Sequence, residues 1–332
     1  MKIFVTGVSG QLGHDVMNEL HKRGIEAVGS DIKETYSGIM DGTPVTSMPY
    51  VQMDITDAAQ VRQVLEKTAP DAVIHCAAWT AVDAAEDEEN IQKVELINAQ
   101  GTRHIAQACR DLGAVMMYIS TDYIFNGQGT QPWKSSCTDY APLNVYGMSK
   151  LHGEEAVRSL LEKYFIVRIA WVFGRNGNNF IRTMLRLGKN HDALRIVNDQ
   201  IGTPTYTFDL ARLLCDMIVT DRYGTYHATN SEVPSADGSD RTAEGCRCGY
   251  ISWYDFACEI FRQAAALGHP EYDPEHLSVT AVTTAEYGIS KAARPFNSRL
   301  DKSALAKNGF EGLPDWQDAL SRYLAEFDFD TL

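Results

Sequence analysis

The sequence predicts an α/β protein: a doubly wound parallel sheet with a smaller, mixed C-terminal unit. Three observations predict it. Short apolar runs alternate with amphipathic stretches of helical length, glycine-rich turns separate them, and the alternation loosens after about Trp171. Strands joined by intervening helices pair in parallel through right-handed crossovers, and a sheet covered on both faces requires strands that are apolar almost throughout. Lys2–Thr6 reads as the first strand, and Gly10–Arg23 as a helix with Leu12, Val16 and Leu20 on one face, closed by Gly24. Ile25–Ser30 is the second strand, and a Gly-, Pro- and Ser-containing loop spans Tyr36–Pro49. Val51–Met53, Ala72–Cys76, Val115–Ser120 and Phe165–Ile169 continue the strands, with helices at Ala58–Thr68, Ile91–Leu112 and Val145–Lys163. Later, Phe208–Val219 reads as a helix and Tyr223–Ala228 as a strand able to return to the sheet. Ser252–Leu267 is a helix opened by a Ser-Trp-Tyr-Asp capping signal, and Lys302–Lys307 and Trp316–Phe327 are two more. Residues 1–171 with about 195–230 are expected to form the larger domain, and about 172–194 with 231–332 the smaller one. Ser235–Gly249 (SADGSDRTAEGCRCG) is a polar, glycine-rich insertion expected on the surface.

A chain of 332 residues with 44% hydrophobic content can bury a substantial core. It carries 44 acidic and 30 basic side chains, a formal net charge of −14. That balance argues against nucleic acid or an anionic membrane as partners, while leaving room for a local basic pocket around one phosphate ligand. No run approaches the roughly 18–20 apolar residues of a spanning helix. The opening MKIFVTGVSG reaches glycine too early for a secretory signal. Cys76, Cys109, Cys137, Cys215, Cys246, Cys248 and Cys258 are odd in number and scattered, which reads as reduced thiols of a cytoplasmic protein.

The first strand runs into Gly7-Val8-Ser9-Gly10-Gln11-Leu12-Gly13 and then a helix. Gly7 suits a tight turn, Gly10 lets backbone approach a pyrophosphate, and Gly13 allows close packing of helix and strand. The helix N-terminus offers its free N–H groups to the phosphates. This context points to a dinucleotide and a Rossmann-type sheet, with Ser9, Gln11 and Leu12 of the same turn at the cofactor. Asp31 closes the second strand, where an acid bonds the adenine ribose and repels a 2′-phosphate. It favours NADH, while Lys33 nearby leaves NADPH open. Asp54 and Ile55 follow the third strand toward the adenine. Ala77, Ala78, Trp79 and Thr80 follow the fourth, where small residues let backbone lie against a ligand.

Tyr146-Gly147-Met148-Ser149-Lys150 sets a phenol and an ammonium four residues apart on one helix face. Reducing a ketone by hydride requires a proton for the nascent alkoxide. A tyrosine at about 10 holds its proton too tightly, and a neighbouring lysine stabilises the phenolate and lowers that value. Lys150 can also bond the nicotinamide ribose. Thr121, after the fifth strand, stands at the carboxyl edge of the sheet where ligands bind, and its hydroxyl can polarise a carbonyl.

With GVSGQLG, HCAAWTAVDAAE, NAQGT, YISTDYIFNG, PLNVYGMSKLHGE, RIAWVFG, NDQIGTPTYTFDLA and ARPFNSRLD, the chain resembles the extended short-chain dehydrogenase/reductases. STDYIFNG, NDQIGTPT and RPFNSRLD narrow the resemblance to the dTDP-4-dehydrorhamnose reductase family. It implies NADPH- or NADH-dependent reduction of the 4-keto group of dTDP-4-dehydro-6-deoxy-L-mannose to dTDP-L-rhamnose. It makes Tyr146 the proton donor, Lys150 its activator and Thr121 the partner of the reacting oxygen. Asn98 would stand at the cofactor. Asp122, Val82, Asp83 and Trp171 would border the sugar, and Arg294, Asn297 and Ser298 the nucleotide sugar. An arginine fork suits a diphosphate. The resemblance is compatible with a monomer or a homodimer. Some members dimerise around Mg²⁺ held by carboxylates; Asp15 sits near one such position but is shorter than the glutamate expected, and no metal ligand is assigned. Cys246 and Cys248 lie outside the family pattern, and two thiols without a partner pair make a poor metal site.

Two other functions fit the scaffold. One is a nucleotide-sugar epimerase or dehydratase; Asp122-Tyr123 after Thr121 replaces the Asp-Glu pair that elimination uses. The other is a non-catalytic regulatory subunit resembling that of methionine adenosyltransferase. Such a subunit has no chemical need for Tyr146, Lys150 and Thr121 together.

Overall fold

The computed structural model describes residues 1–234, 247–288 and 290–332, so Cys246 and most of the Ser235–Gly249 insertion lie outside the described residues. Alternation in the first half becomes a parallel sheet, as the apolar runs require. Its strands are β1 (Lys2–Thr6), β2 (Glu26–Asp31), β3 (Tyr50–Gln52), β4 (Ala72–His75), β5 (Val115–Thr121) and β6 (Tyr164–Ile169). With the returning strand Gly224–His227 at one edge, the order is Gly224–His227, β6, β5, β4, β1, β2, β3. The chain winds outward from β1 to β3 and then re-enters on the opposite side of β1 as β4. Strand order reverses there, and a cleft opens at the carboxyl ends of β1 and β4.

Successive residues point to opposite faces of a strand. Ile3 and Val5 of β1 join one core cluster with α1 (Gln11–Lys22) and the helix Thr207–Ile218. Phe4 joins the opposite cluster with α2 (Ala58–Thr68), while α3 (Glu88–Glu95) follows β4. α4 (Thr102–Leu112) and α5 (Val145–Leu160) complete that second layer, which buries Val73, Met116, Tyr118 and Ile166 from the sheet. The sheet is therefore doubly wound, as expected.

The single helix expected over Ile91–Leu112 is instead α3, a π-helical turn at Leu96–Gly101 and α4. One wide turn rotates Asn98 into the protein, where it is 1% exposed, and such turns concentrate at functional sites.

A second cluster gathers Phe173, Leu185, Phe256, Ile260, Trp316 and Tyr323, mainly from helices Phe180–Asn190, Trp253–Ala266 and Trp316–Ala325. The sequence places the stretch from about 195 with the larger domain, but Ile196 and Tyr206 pack in this cluster. Their segment is held there because Ala193–Val197 pairs in parallel with Ser278–Val282. The chain rejoins the sheet layer at Thr207. No helix among the described residues is long and apolar enough to cross a membrane.

Two buried charge systems brace the larger unit. Glu154 of α5 and Arg168 of β6 are both fully buried, with Arg168 Nε and Nη2 donating to the two carboxylate oxygens at 2.8 Å each. Burial alone would raise the Glu154 carboxyl; Arg168 outweighs it and holds the group below the usual carboxylate range. Arg158 Nη2 also bonds Glu154 Oε2 at 2.5 Å, so it is removal of Glu154 that would leave Arg168 as an unpaired buried charge, costing about 3–5 kcal/mol.

Asp15, on α1, is 7% exposed and accepts a 2.5 Å hydrogen bond from Thr207 Oγ1. Burial pushes its carboxyl up to about 7. It is turned inward onto Thr207 and is not presented to a metal at the surface. Among the described residues no group of three or more His, Cys, Asp or Glu side chains could hold a metal ion. In the unfolded chain the same carboxyl titrates near its ordinary value of 3.8. The folded state thus binds more protons between about pH 4 and pH 7, and stability falls as pH rises through that window. Asp15→Asn retains an acceptor for Thr207 without titrating. It should flatten this fall in Tm and exceed the parent at pH above 7 by on the order of a few kcal/mol, as read by thermal unfolding across pH.

Candidate active site

β1 delivers the chain to Gly7, whose φ of +71° suits glycine and whose hypothetical Cβ would lie 2.6 Å from the Ala77 amide nitrogen. A Cβ on Gly13 would run into the Gly7 carbonyl. These contacts bring the β1–α1 turn, the first turn of α1 and the loop after β4 together without side chains between them. Gly10 caps α1 without a side-chain hydrogen bond, so the helix presents free N–H groups to the cleft.

Three cavities run along the sheet edge. The first, about 490 Å³, is lined by Gly7, Ser9, Gly10, Asp31, Asp54, Ile55, Ala77, Ala78 and Trp79, together with Cys76 and Lys93. The second, about 410 Å³, is bounded by Gln11, Leu12, Gly13, Thr80, Val82, Thr121, Asp122, Tyr146, Lys150 and Trp171. It shares Gly7, Gly10, Cys76 and Ala78 with the first. The third, about 530 Å³, holds Asp83, Arg294, Phe180 and Met184 and shares Thr80, Tyr123 and Trp253 with the second. Shared lining residues join the three into one continuous cleft.

Asp31 is positioned by backbone donors: the Ser9 amide reaches Oδ2 at 3.0 Å and the Ile32 amide reaches Oδ1 at 2.8 Å. An anion held this way at the end of β2 repels a further phosphate beside it.

Tyr146 and Lys150 share a face of α5, whose start is capped by Asn144 Oδ1 accepting from the Gly147 amide at 2.7 Å. The Tyr146 phenol is pushed above its ordinary value by burial; hydrogen bonding from Thr121 opposes this and the Asp122 charge adds to it. Lys150 does not act on it in the way the spacing suggests. Its ammonium sits over the buried Tyr118 ring, 4.2 Å from the centroid, and burial pushes it down to about 7. Four residues along a helix set a common face, whereas the depth of each head group depends on what packs around it.

Asn98 does not line the cavities but braces their walls. Its Oδ1 accepts from the Trp79 amide at 2.8 Å, and its Nδ2 donates to the Trp79 carbonyl at 3.1 Å and Ser149 Oγ at 3.0 Å. Ser149 Oγ in turn donates to the Tyr146 carbonyl at 2.8 Å. A second chain runs beneath. The Thr102 hydroxyl donates to the Asn98 carbonyl at 2.7 Å, so His75 Nε2 donates to Thr102 and its Nδ1 accepts from Thr6. Thr6 Oγ1 then receives the Ala77 amide at 3.2 Å. His75 is kept neutral, its value pushed down to about 3 by burial, with the Lys150 charge adding to the shift.

The late motif divides. Arg294 Nη2 donates to Asp83 Oδ2 at 2.6 Å, while its buried Nη1 has no hydrogen-bond partner. Ser298 is buried beside Asp122, where its hydrogen bonding lowers the carboxyl. Asn297 does not reach the cleft, because its Nδ2 donates to the carbonyls of Gln128 and Gln131 and its Oδ1 accepts from Arg299. Sequence reasoning missed Tyr123 and Trp253. Trp253 is legible only as part of a capping signal, yet its ring stacks on Trp171 with centroids 3.7 Å apart. Trp171 itself adopts φ +51°, an unusual backbone for a bulky side chain and one associated with functional sites.

The model of the RmlD substrate binding domain matches residues 1–329. A dTDP-4-dehydrorhamnose reductase from Streptomyces griseus is 36% identical over 323 residues, covering 96% of this chain and 91% of that protein. The structure of the Bacillus anthracis dTDP-4-dehydrorhamnose reductase in complex with NADP superposes with a TM-score of 0.80 at 36% identity, covering 98% and 99% of the two chains. The corresponding Clostridium acetobutylicum structure gives 0.81, again at 36% identity and with the same coverage. A likeness of this extent, joined to a cleft that sets a dinucleotide turn beside a Tyr-Lys pair, places the chain in the dTDP-4-dehydrorhamnose reductase family.

Proposed function

We propose that this protein reduces the 4-keto group of dTDP-4-dehydro-6-deoxy-L-mannose to dTDP-L-rhamnose with NADH or NADPH. The observation that carries this reading is the order of groups along one cleft: glycine turn and Asp31, then Tyr146, Thr121 and Lys150, then Arg294. The bare approach of Gly7, Gly13 and Ala77 and the uncapped start of α1 fit a pyrophosphate. Ser9, Gly10, Gln11 and Leu12 supply the turn, Asp31 faces the adenosine ribose, and Asp54 and Ile55 border the adenine. Ala77, Ala78, Trp79 and Thr80 form the opposite wall. A bound nicotinamide supplies the hydride.

The chain's own groups handle the proton. Thr121 orients the carbonyl oxygen and Tyr146 protonates it as negative charge develops. Lys150, whose ammonium lies over the Tyr118 ring, bonds the nicotinamide ribose. Val82, Asp83, Asp122 and Trp171 border the hexose. Arg294 offers the unpartnered Nη1 to the diphosphate, a charge-assisted bond that satisfies an otherwise orphaned donor. Ser298 acts on Asp122, and Asn98 and Asn297 hold the walls.

Two substitutions test this. With enzymatically generated 4-keto sugar nucleotide, Tyr146→Phe should lower kcat by about 10²-fold or more, with KM and cofactor affinity little changed. Turnover at the parental rate would remove Tyr146 as the acid. Asp31→Ala should raise kcat/KM for NADPH relative to NADH by about tenfold, and an unchanged ratio would take Asp31 away from the ribose.

A further inference from the structure

Resting on the ketoreductase reading, we propose that Asp122, as a neutral carboxylic acid, is the positioning residue that turns the Thr121 hydroxyl toward the reacting oxygen. A threonine hydroxyl has one proton to donate and two lone pairs. The Tyr123 amide donates to Thr121 Oγ1 at 3.2 Å, Asp122 Oδ1 lies 3.0 Å away, and the Tyr146 phenol is within hydrogen-bonding reach. An ionised Asp122 can only accept. The Thr121 proton is then committed to Asp122, and the remaining lone pair draws the Tyr146 proton. Both donors that the carbonyl oxygen needs are engaged elsewhere.

A protonated Asp122 reverses this arrangement. Its O–H donates to Thr121 Oγ1, the two lone pairs are filled by Asp122 and Tyr123, and the Thr121 proton is left for the cleft. The Tyr146 proton is free as well.

The surroundings raise the proton affinity of this carboxyl. Asp122 is 4% exposed, and its Oδ2 is buried without a hydrogen-bond partner. An unpartnered carbonyl-like oxygen is tolerable there, whereas an unpartnered share of a carboxylate charge is costly. Arg294, on the facing segment, is engaged by Asp83. Burial pushes the carboxyl up to about 6, although hydrogen bonds from Ser298 and Thr121 act against the shift. The titratable groups around this turn are Tyr123 on the turn itself, Tyr146 and Lys150 on α5, Cys76 and Asp83 on the segment following β4, and Arg294. Asp83 and Arg294 largely offset one another. The phenols remain neutral below their raised values, so Asp122 is the group whose protonation sets the direction of the Thr121 bond.

The test is the pH profile of kcat at saturating NADH and 4-keto sugar nucleotide. Parental kcat should fall as pH rises through the Asp122 value. In Asp122→Asn the amide N–H donates to Thr121 at every pH. That variant should lose the falling limb and exceed the parent about tenfold at the alkaline end. An Asp122→Asn profile with the parental limb, or a folded, cofactor-binding variant inactive at all pH, overturns the proposal. Infrared difference spectra of parent minus Asp122→Asn, without substrate, provide an independent readout. A protonated-carboxyl stretch present at about pH 5 and gone by about pH 8 is expected, and its absence at the lower pH overturns the assignment. Failure of the parent to oxidise NADH with this substrate at any pH would instead count against the ketoreductase reading and leave the infrared result standing.

Discussion

Close approach of backbone to backbone at the start of the sheet is the constraint from which the rest follows. Gly7, Gly13 and Ala77 meet with no room for a further carbon atom, which brings the β1–α1 turn against the loop after β4. Because β1 and β4 are neighbours across the point where strand order reverses, this contact also opens the cleft at their carboxyl ends. The free N–H groups of α1 therefore face a space walled by backbone, where a pyrophosphate can approach closely. A larger residue at Gly7 or Gly13 would separate the two walls.

A buried polar scaffold holds the Tyr146 end of α5 against those walls. The π-helical turn at Leu96–Gly101 places Asn98 where one amide side chain bonds both the loop carrying Trp79 and, through Ser149, the backbone of Tyr146. Thr6, His75 and Thr102 extend the same system to β1 and α4. Each donor in this chain has an acceptor, and a satisfied network of that kind in a low-dielectric interior is rigid. Rigidity of the supporting side chains is what keeps reacting groups in register with a bound cofactor.

The second unit completes the cleft from the other side. Trp171 leaves β6 in a left-handed conformation and stacks on Trp253, so a residue following the sheet and one from a late helix form a single aromatic wall. Arg294 crosses to Asp83 nearby. Recognition of the far end of a ligand thus depends on chain segments more than a hundred residues apart meeting at one edge of the sheet.

The amino-acid sequence by itself determined the alternation of strands and helices, the glycine turn that follows β1, the acid at the end of β2, and the common face of Tyr146 and Lys150. Each of these is local: side-chain period, backbone freedom and helical spacing act over a few residues. Tertiary structure alone decided what depends on partners distant in the chain. It split the helix at Leu96–Gly101, carried residues 193–206 to the smaller core, turned Asn297 onto backbone carbonyls and revealed Tyr123 and Trp253 in the cleft. It also placed Lys150 over Tyr118 and buried Asp122 beside Thr121. Proton affinity and hydrogen-bond direction are set by desolvation and by which groups arrive from elsewhere, and only packing of the whole chain specifies those.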